Sequence, residues 1–524
     1  MKKFKKFTYL MSLFVLTIVL CSCGSKDKPE NSKTSGSNQG GSTATNAEYK
    51  DTLTWGQGAD VTSLDPHQGK ETPAVEVSDQ IFDTLTVIDA KTNEVKPQIA
   101  ESWKEINDKQ YQFKIRKGIK FHDGSDLTVE DVKFSLDRAI HSASVSYIVD
   151  FIDNVKILDQ DTIEVNLKAP YAPILRNLSV PFAAIVPKKV VEKDEKAFIN
   201  NPIGSGPYKF VEWKRGDSIK LEAFPDYFEG EAPTKNLMMK VIPEAAQRVI
   251  ALQNNEIDIA YDIPTNYIQT VKDDPNLSLE ETDPSSCCYI SFNMNKKPFD
   301  DVRVRKAINM AINRKEIVET IMNGSGMAAD SIIAPTVFGY YSPEPIEYNP
   351  EKAKELLKEA GVTNLKTSLW VNDNQQRIEV CQAIQAMLKE VNIDCAVEPM
   401  EFGSFIQRSS DGEQDMGYFA WITSTRDGDY TFYSLNHSTQ TGAPGNRSFV
   451  KDPEVDELIM KGRTTTDEAT RKEIYKQLQI KLRELDNNAP IIYTNISVGM
   501  NKKVEGFVLD PIGYHKLHQV KIAK

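Results

Sequence analysis

The chain has little of what most enzymatic chemistry uses. Of 524 residues only six are cysteine and six histidine. Two of the cysteines, Cys21 and Cys23, close a leader-like segment at the N-terminus. The other four, Cys287, Cys288, Cys381 and Cys395, have neither zinc-ribbon nor disulfide-framework spacing. Cys381 is expected on a helix and Cys395 at the start of the following strand, roughly 15 Å apart along the axis. No bridge is therefore expected, and all four read as small buried apolar residues. The histidines are scattered, at positions 67, 122, 141, 437, 515 and 518. His515 and His518 could share a metal, but on a lysine-rich tail they are expected to face solvent, so neither metal nor cofactor is predicted. There is no GxSxG, no HExxH, no phosphate-binding loop and no Cys/His nucleophile pattern. No long basic run follows the leader, and a formal net charge of −12 argues against nucleic acid as a partner. With 75 acidic residues, some carboxylates will lie close by chance; counting alone leaves a secreted hydrolase such as a glycosidase as an alternative.

What is present begins with an export signal. Lys2, Lys3, Lys5 and Lys6 form a basic region and Phe7 to Leu20 an apolar one, too short for a spanning helix of ~20 residues. Leu20-Cys21-Ser22-Cys23-Gly24 resembles a bacterial lipobox with Cys23 as the lipidated residue. Cys21 fits less well, because Leu20 is too bulky for the small position before cleavage. The polar Gly/Ser/Asn/Lys/Thr stretch behind Cys23 has almost nothing to bury. It is expected to be a tether with a reach of roughly 25–30 Å.

Beyond the tether the length exceeds what one core supports, since single cores stop growing near ~250–300 residues. Folding is expected from Tyr49, with Leu53 and Trp55 opening a strand. Pro73 suits the first turn of a helix, with Ala74, Val77 and Ile81 on one face. From Ala100 to Arg138 the residues spell strand, turn and capped amphipathic helix. Tyr111, Phe113 and Ile115 alternate with polar neighbours, His122-Asp123-Gly124-Ser125 is a turn cluster, and Thr128 with Asp131 forms a capping box. Val129, Val132, Leu136, Ala139 and Ile140 then share a helical face.

The wording of this stretch is more specific than its pattern. A-E-S-W, Y-x-F-x-I-R, G-I-K-F-H-D-G and L-T-x-E-D-V-x-F-S-x-x-R resemble the signature region of family 5 extracellular solute-binding proteins, the peptide and nickel receptors of ABC importers. Three further segments agree: Ile203-Gly204-Ser205-Gly206-Pro207-Tyr208, Pro298-Phe299-Asp300-Asp301-Val302-Arg303-Val304-Arg305-Lys306-Ala307-Ile308-Asn309, and the helix opened by Asn349-Pro350-Glu351 and closed by Gly361. The charges of Arg303 and Arg305 are expected on a solvated helix face. Strands alternating with helices from Ser368 to Val397 argue for an α/β second lobe, a helix is expected from Thr466 to Leu485, and Ile491 to Asn495 is expected as the strand returning to the first lobe.

The resemblance implies an α/β protein of two lobes, periplasmic-binding-protein-like (class II, large peptide-binding type), with an extra subdomain in lobe one. Its parts would be a lipoprotein signal peptide over 1–22, a disordered tether over 23–48 and lobe one over 49–286, with the inserted subdomain at about 86–200. Lobe two would cover 287–498, and 499–524 would return to lobe one. It implies a monomeric, lipid-anchored receptor on the extracytoplasmic face of the cell membrane, which passes short peptides to ABC permease and ATPase subunits. Alternatives within the family are a glutathione or nickel-chelate receptor and a peptide-signal sensor.

The candidate ligand stretch follows an apolar strand from Met416 to Trp421, which breaks into hydroxyls and carboxylates, the mixture of a cleft that orients a small polar solute. Read alone, it is better taken as a surface turn after a core strand, with Trp421 as core filler. The resemblance makes it the ligand segment, with Trp421, Thr423, Ser424, Asp427 and Asp429 as contacts, joined by Asn446 and Arg447 from a G-N-R-S-F segment at the cleft edge. The family's peptide receptors carry W-x-x-D here, whose aspartate pairs with the ligand ammonium. In this chain Ser424 takes its place, and a hydroxyl cannot offset a desolvated ammonium. Asp427 or Asp429 is the expected substitute, and W-x-x-S-T is closer to the oligopeptide and glutathione members.

Overall fold

A computed structural model describes residues 48–524 apart from Lys70. Cys23, the leader and nearly all of the tether lie outside the described residues. The folded chain starts where expected: Tyr49 bridges Ala523, and the Lys50 amide donates to the Ile522 carbonyl at 2.8 Å.

Leu53 and Trp55 are fully buried, and their strand, Thr52–Gln57, is the centre of a seven-stranded mixed sheet. Its order is Leu277–Glu281, Ser497–Asn501, Ile259–Ala260, Thr52–Gln57, Asn236–Val241, Ser218–Ala223 and Tyr208–Lys214. The central strand runs parallel to both neighbours, and the outer pairings are antiparallel. Ile259–Ala260 is the shortest of these strands, two residues long.

The signature region builds a second body against this sheet. Gln110–Ile115 pairs with Ala100–Asn107 and Thr162–Leu167 in a four-stranded antiparallel sheet. Phe113, Ile163 and Val165 meet Val132 and Leu136 of the helix Val129–Ile140 in one core. That helix starts where Asp131 accepts from the Thr128 amide at 2.9 Å and from its hydroxyl at 2.7 Å. The turn before it grips a distant one: the Gly204 N–H donates to His122 Nδ1 at 3.2 Å, so the ring proton sits on Nε2 and is donated to the Gly206 carbonyl at 2.9 Å. The two glycines serve a close approach rather than a tight turn. A Cβ on Gly204 would stand 2.0 Å from the Ile81 carbonyl oxygen, and one on Gly206 would stand 2.6 Å from the Ile81 carbonyl carbon.

The second lobe is a six-stranded sheet in the order Met327–Ala328, Asn488–Thr494, Ser286–Phe292, Met416–Ile422, Leu365–Asn372 and Ile393–Met400. The helices Val302–Met310, Pro350–Glu359 and Gln375–Glu390 cover it through Val304, Ile308, Leu357 and Ile384. All four cysteines described here are free and buried. Expectations change at three places. Arg305 is not on a solvated face: it is 2% exposed, and its guanidinium donates to the Leu485 and Phe299 carbonyls, the first of which ends the helix Glu468–Leu485. Only Arg303 is exposed. The Asn488–Thr494 strand belongs to the second sheet, so the chain changes sheet at Asn495–Ile496, slightly before the expected boundary, and Ser497–Asn501 makes the return. His515, placed in solvent by sequence, is 1% exposed and ringed by Trp55, Tyr261 and Phe507.

Two chain crossings join the lobes, Glu281 to Ser286 and Thr494 to Ser497, and they run side by side. The Thr282 amide donates to the Ile496 carbonyl at 3.0 Å, and the Ile496 amide to the Thr282 hydroxyl at 2.9 Å.

Candidate functional site

The candidate ligand segment lies where the second-lobe sheet ends against the first lobe. Strand Met416–Ile422 puts Phe419 in the core and leaves Trp421 half-buried. The Trp421 indole stacks on Tyr430 (centroids 5.2 Å apart) and donates to the Thr431 hydroxyl at 3.0 Å. Tyr430 in turn stacks on Tyr147 of the first lobe, at 6.0 Å. Thr423 is buried and shares a hydrogen bond with Thr431 at 2.8 Å. Ser424 is half-buried and shares a cavity wall with Tyr514 of the C-terminal segment.

Asp427 and Asp429 do not replace the missing aspartate as free carboxylates, because both are committed to arginines, Arg471 buried and Arg463 half-buried. Asp427 caps the helix Gly428–Asn436 by accepting from the Asp429 amide at 3.0 Å, and it accepts from both terminal nitrogens of Arg471 at 3.0 and 2.8 Å. Asp429 pairs with Arg463 at 3.1 Å and accepts from the Tyr171 hydroxyl. Burial raises the Asp429 carboxyl pKa, with Arg463 acting against it. Asn446 is fully buried and donates to the His437 and Val450 carbonyls at 3.1 and 3.0 Å, a loop clamp rather than a cleft contact. Arg447 is also buried, lies over the Phe419 ring at 5.4 Å and forms no ion pair among the described residues. Of the seven predicted contacts, only Ser424 lines the cavity described next.

That cavity, of about 250 Å³, is walled by Ser424 and Arg426 from the second lobe and by Asp79, Asp510, Tyr514 and Lys516 from the first. A neighbouring cavity of about 450 Å³ lies beside the crossings and is walled by both sheets, including Gln57, Ser286, Ala420 and Thr494. Sequence reading missed all but one wall residue. Asp79 lies on the helix Thr72–Ile81, which is buried from Ala74 onward, including Glu76, Ser78, Asp79 and Gln80. A polar helix buried on every face needs polar partners, and the C-terminal segment supplies them. Gln80 donates to the His515 carbonyl at 2.7 Å, and Lys516 to Asp79 Oδ1 at 3.3 Å. Burial opposes the Lys516 charge, but Asp79 and Asp83 beside it prevail and raise its pKa. Asp79 is raised by burial, with Lys516 pulling the other way. Arg426 has a left-handed φ of +53°, which turns the chain from the strand into the next helix and carries the guanidinium under the C-terminal segment, where it pairs with Asp510. Among the described residues no group of three or more His, Cys, Asp or Glu could hold a metal.

Two lobes joined by paired crossings, with a polar cavity walled from both sides, define a hinged solute receptor. A family model described as bacterial extracellular solute-binding proteins, family 5, matches residues 94–443. The chain belongs to that family. It is 31% identical over 478 residues to the dipeptide-binding protein of Escherichia coli (strain K12), covering 84% of this chain and 89% of that one. It is 29% identical over 471 residues to a glutathione-binding protein of the same organism, covering 87% and 91%. The structure of an ABC transporter-associated periplasmic binding protein from Helicobacter pylori with the peptide STSA has the same fold. It superposes with a TM-score of 0.80 at 27% identity, covering 91% of this chain and 99% of that one. The expected two-lobe architecture is thus the observed one, and family membership makes the chain a solute-binding protein of an extracellular class. No helix among the described residues is long and apolar enough to cross a membrane.

Proposed function

We propose that the protein captures short peptides outside the cytoplasm and delivers them to the permease of an ABC importer, performing no chemistry itself. ATP is hydrolysed by the partner ATPase subunits. The observation that carries this reading is the polar cavity walled by both lobes beside paired crossings, since a solute held there is contacted fully only when the lobes close. The relatives' peptide ligands support the substrate class. Trp421 stays in the proposal as an aromatic wall near the ligand and Ser424 as a direct contact. Asp427, Asp429 and Asn446 position that wall. Lipidation at Cys23 would hold the receptor, as a monomer, within tether reach of the permease, its several acyl chains making the anchor stable.

A second reading, a glutathione receptor, is favoured by Ser424 standing where the family's peptide receptors carry aspartate. Native mass spectrometry of the purified protein, with mild denaturation to release any passenger, separates the two. A ladder of short-peptide masses supports the first, and one mass matching glutathione the second. If the protein emerges empty, a thermal-shift screen decides, because a true ligand at ~100 times its dissociation constant stabilises by ~2.7 kcal/mol. A screen in which neither peptides nor glutathione shift the transition overturns both.

A further inference from the structure

The larger cavity, of about 450 Å³, has two unlike walls. The first-lobe wall carries buried acceptors with nothing to accept. Glu76, 2% exposed on the helix Thr72–Ile81, receives the Trp55 indole N–H on Oε2 at 3.3 Å, while its Oε1 has no partner. Gln57, 1% exposed, ends the central strand; its Nε2 donates to the Ala59 carbonyl at 2.9 Å, which leaves Oε1 unpartnered. Asn495, at the second crossing, lines the same space with its Oδ1 also unpartnered. Unpartnered buried atoms occur elsewhere, on Asp429 and Arg447 for example, but those residues line neither cavity. Here three separate elements each bring one to a single cavity, all three are acceptors, and no unpartnered buried donor stands among the described wall residues.

The missing partner is therefore a donor, and its charge follows from the neighbours. Arg248 lines the cavity too, but its guanidinium is taken up by the Ile242, Pro243, Tyr261 and Asp262 carbonyls. Asp262 adds a second carboxylate to the wall. Burial raises the Glu76 carboxyl pKa well above its ordinary value, with the Trp55 hydrogen bond opposing the rise and Asp262 adding to it. A cation beside Glu76 supplies the counter-charge that the fold withholds. The facing wall, from the second lobe, is apolar at Val380, Ala420, Ile422 and Ile492, and Ile422 is 43% exposed. Arg377 on that wall donates to Asn372 Oδ1 of its own lobe at 2.9 Å. Water can fill the acceptors but leaves Ile422 uncovered, whereas a cation on an aliphatic stem satisfies both walls. Resting on the receptor reading above, we propose that this cavity takes an ammonium or guanidinium carried on an aliphatic chain, either the basic side chain of a captured peptide or a free diamine. Glu76 and Gln57 receive its charged head, and Ile422 covers its stem.

The test is native mass spectrometry of the full chain in detergent, offered Ala-Lys-Ala and Ala-Arg-Ala, their uncharged counterparts Ala-norleucine-Ala and Ala-citrulline-Ala, and cadaverine and glutathione beside them. Wild type is expected to retain the lysine and arginine peptides about 10- to 100-fold over the uncharged ones, the range of one charge-assisted hydrogen bond. Glu76→Gln, which keeps an acceptor for Trp55, should lose that preference. If Glu76→Gln folds poorly, the wild-type preference itself decides, and Asp262→Asn should narrow it. Retention of cadaverine with no preference among the peptides assigns the cavity to a free diamine. Equal retention of all four peptides without cadaverine means that water fills the acceptors, which overturns the cation and leaves the receptor standing. Capture of nothing, glutathione included, removes the receptor reading and this inference with it.

Discussion

The Tyr171 hydroxyl, on the first lobe, donates to Asp429 Oδ2 on the second at 3.2 Å. Arg463 completes the contact, paired with Asp429 at 3.1 Å and lying over the Tyr171 ring at 4.9 Å, while the Ala172 amide donates to the Arg463 carbonyl at 2.9 Å. This contact holds the lobes together away from the cavity, so it sets how readily they part. Tyr171→Phe removes one hydrogen bond to a charged acceptor, worth ~1.5–3 kcal/mol, and should shift the population toward the open form. Ligand affinity is expected to fall about 10-fold or more, with a larger radius of gyration by small-angle scattering before ligand is added. Unchanged affinity and radius would remove Tyr171 from the closing equilibrium.

Asp427 was a candidate ligand contact and is instead half of a buried pair with Arg471. Asp427→Asn leaves that guanidinium without its counter-charge, a loss of about 3–5 kcal/mol. Urea unfolding should show a lower midpoint, while the folded fraction binds peptide as before. A stable variant with weakened binding would return Asp427 to the ligand.

His122 is held neutral in the grip between the signature turn and Gly204–Gly206, its pKa pushed down to about 4 chiefly by burial. In the unfolded chain an imidazole takes its proton near pH 6.5. Between about pH 6.5 and 4 unfolding therefore binds a proton that folding excludes, and this contribution to stability is lost as pH falls through that window. His122→Gln should be less stable than wild type at pH 7, and the gap should close by roughly 3 kcal/mol on going to pH 4. A gap independent of pH would show that His122 titrates normally.

Gly204→Ala places a methyl group 2.0 Å from the Ile81 carbonyl oxygen. Backbone cannot give way as a side chain does, so a loss at the upper end of the ~1–3 kcal/mol typical of overpacking is expected. Gly417→Ala is a useful contrast, since its Cβ would meet the Phe419 ring at 2.5 Å, a side chain able to turn aside. Equal losses would mean that the contact with the Ile81 carbonyl relaxes freely.

Cys23→Ala should release the protein from membranes into the medium or periplasm and abolish incorporation of a labelled fatty acid. Retention at the membrane with no label would point to a different anchor.

The signature strand, its capped helix, the Asn349 cap and the buried cysteines were legible because each follows from local pattern: alternation, a capping pair, an apolar stripe. The lobes and their family were legible from recurring words. The cavity was not, and Asp79 and Arg426 show why. Asp79 sits on a helix read as amphipathic, and Arg426 stands in the correct stretch but is charged, which a single sequence reads as solvated. Both are buried by the C-terminal segment, more than 80 positions from Arg426 and more than 400 from Asp79, and no local period reports a partner so remote. Arg305 was misplaced for the same reason, its carbonyl partner at Leu485 lying 180 residues away.

The paired crossings carry a mechanical consequence. Because Thr282 and Ile496 are tied to each other by two hydrogen bonds, and Glu281 and Ser286 stay in register with Ser497 and Thr494, the joint is a ribbon rather than two independent strings. A ribbon flexes across its flat face and resists being sheared along its length. The two halves of the molecule can therefore swing like the covers of a bound book but cannot slip past one another. Each time they shut, Asp79 and Arg426 return to the same facing page.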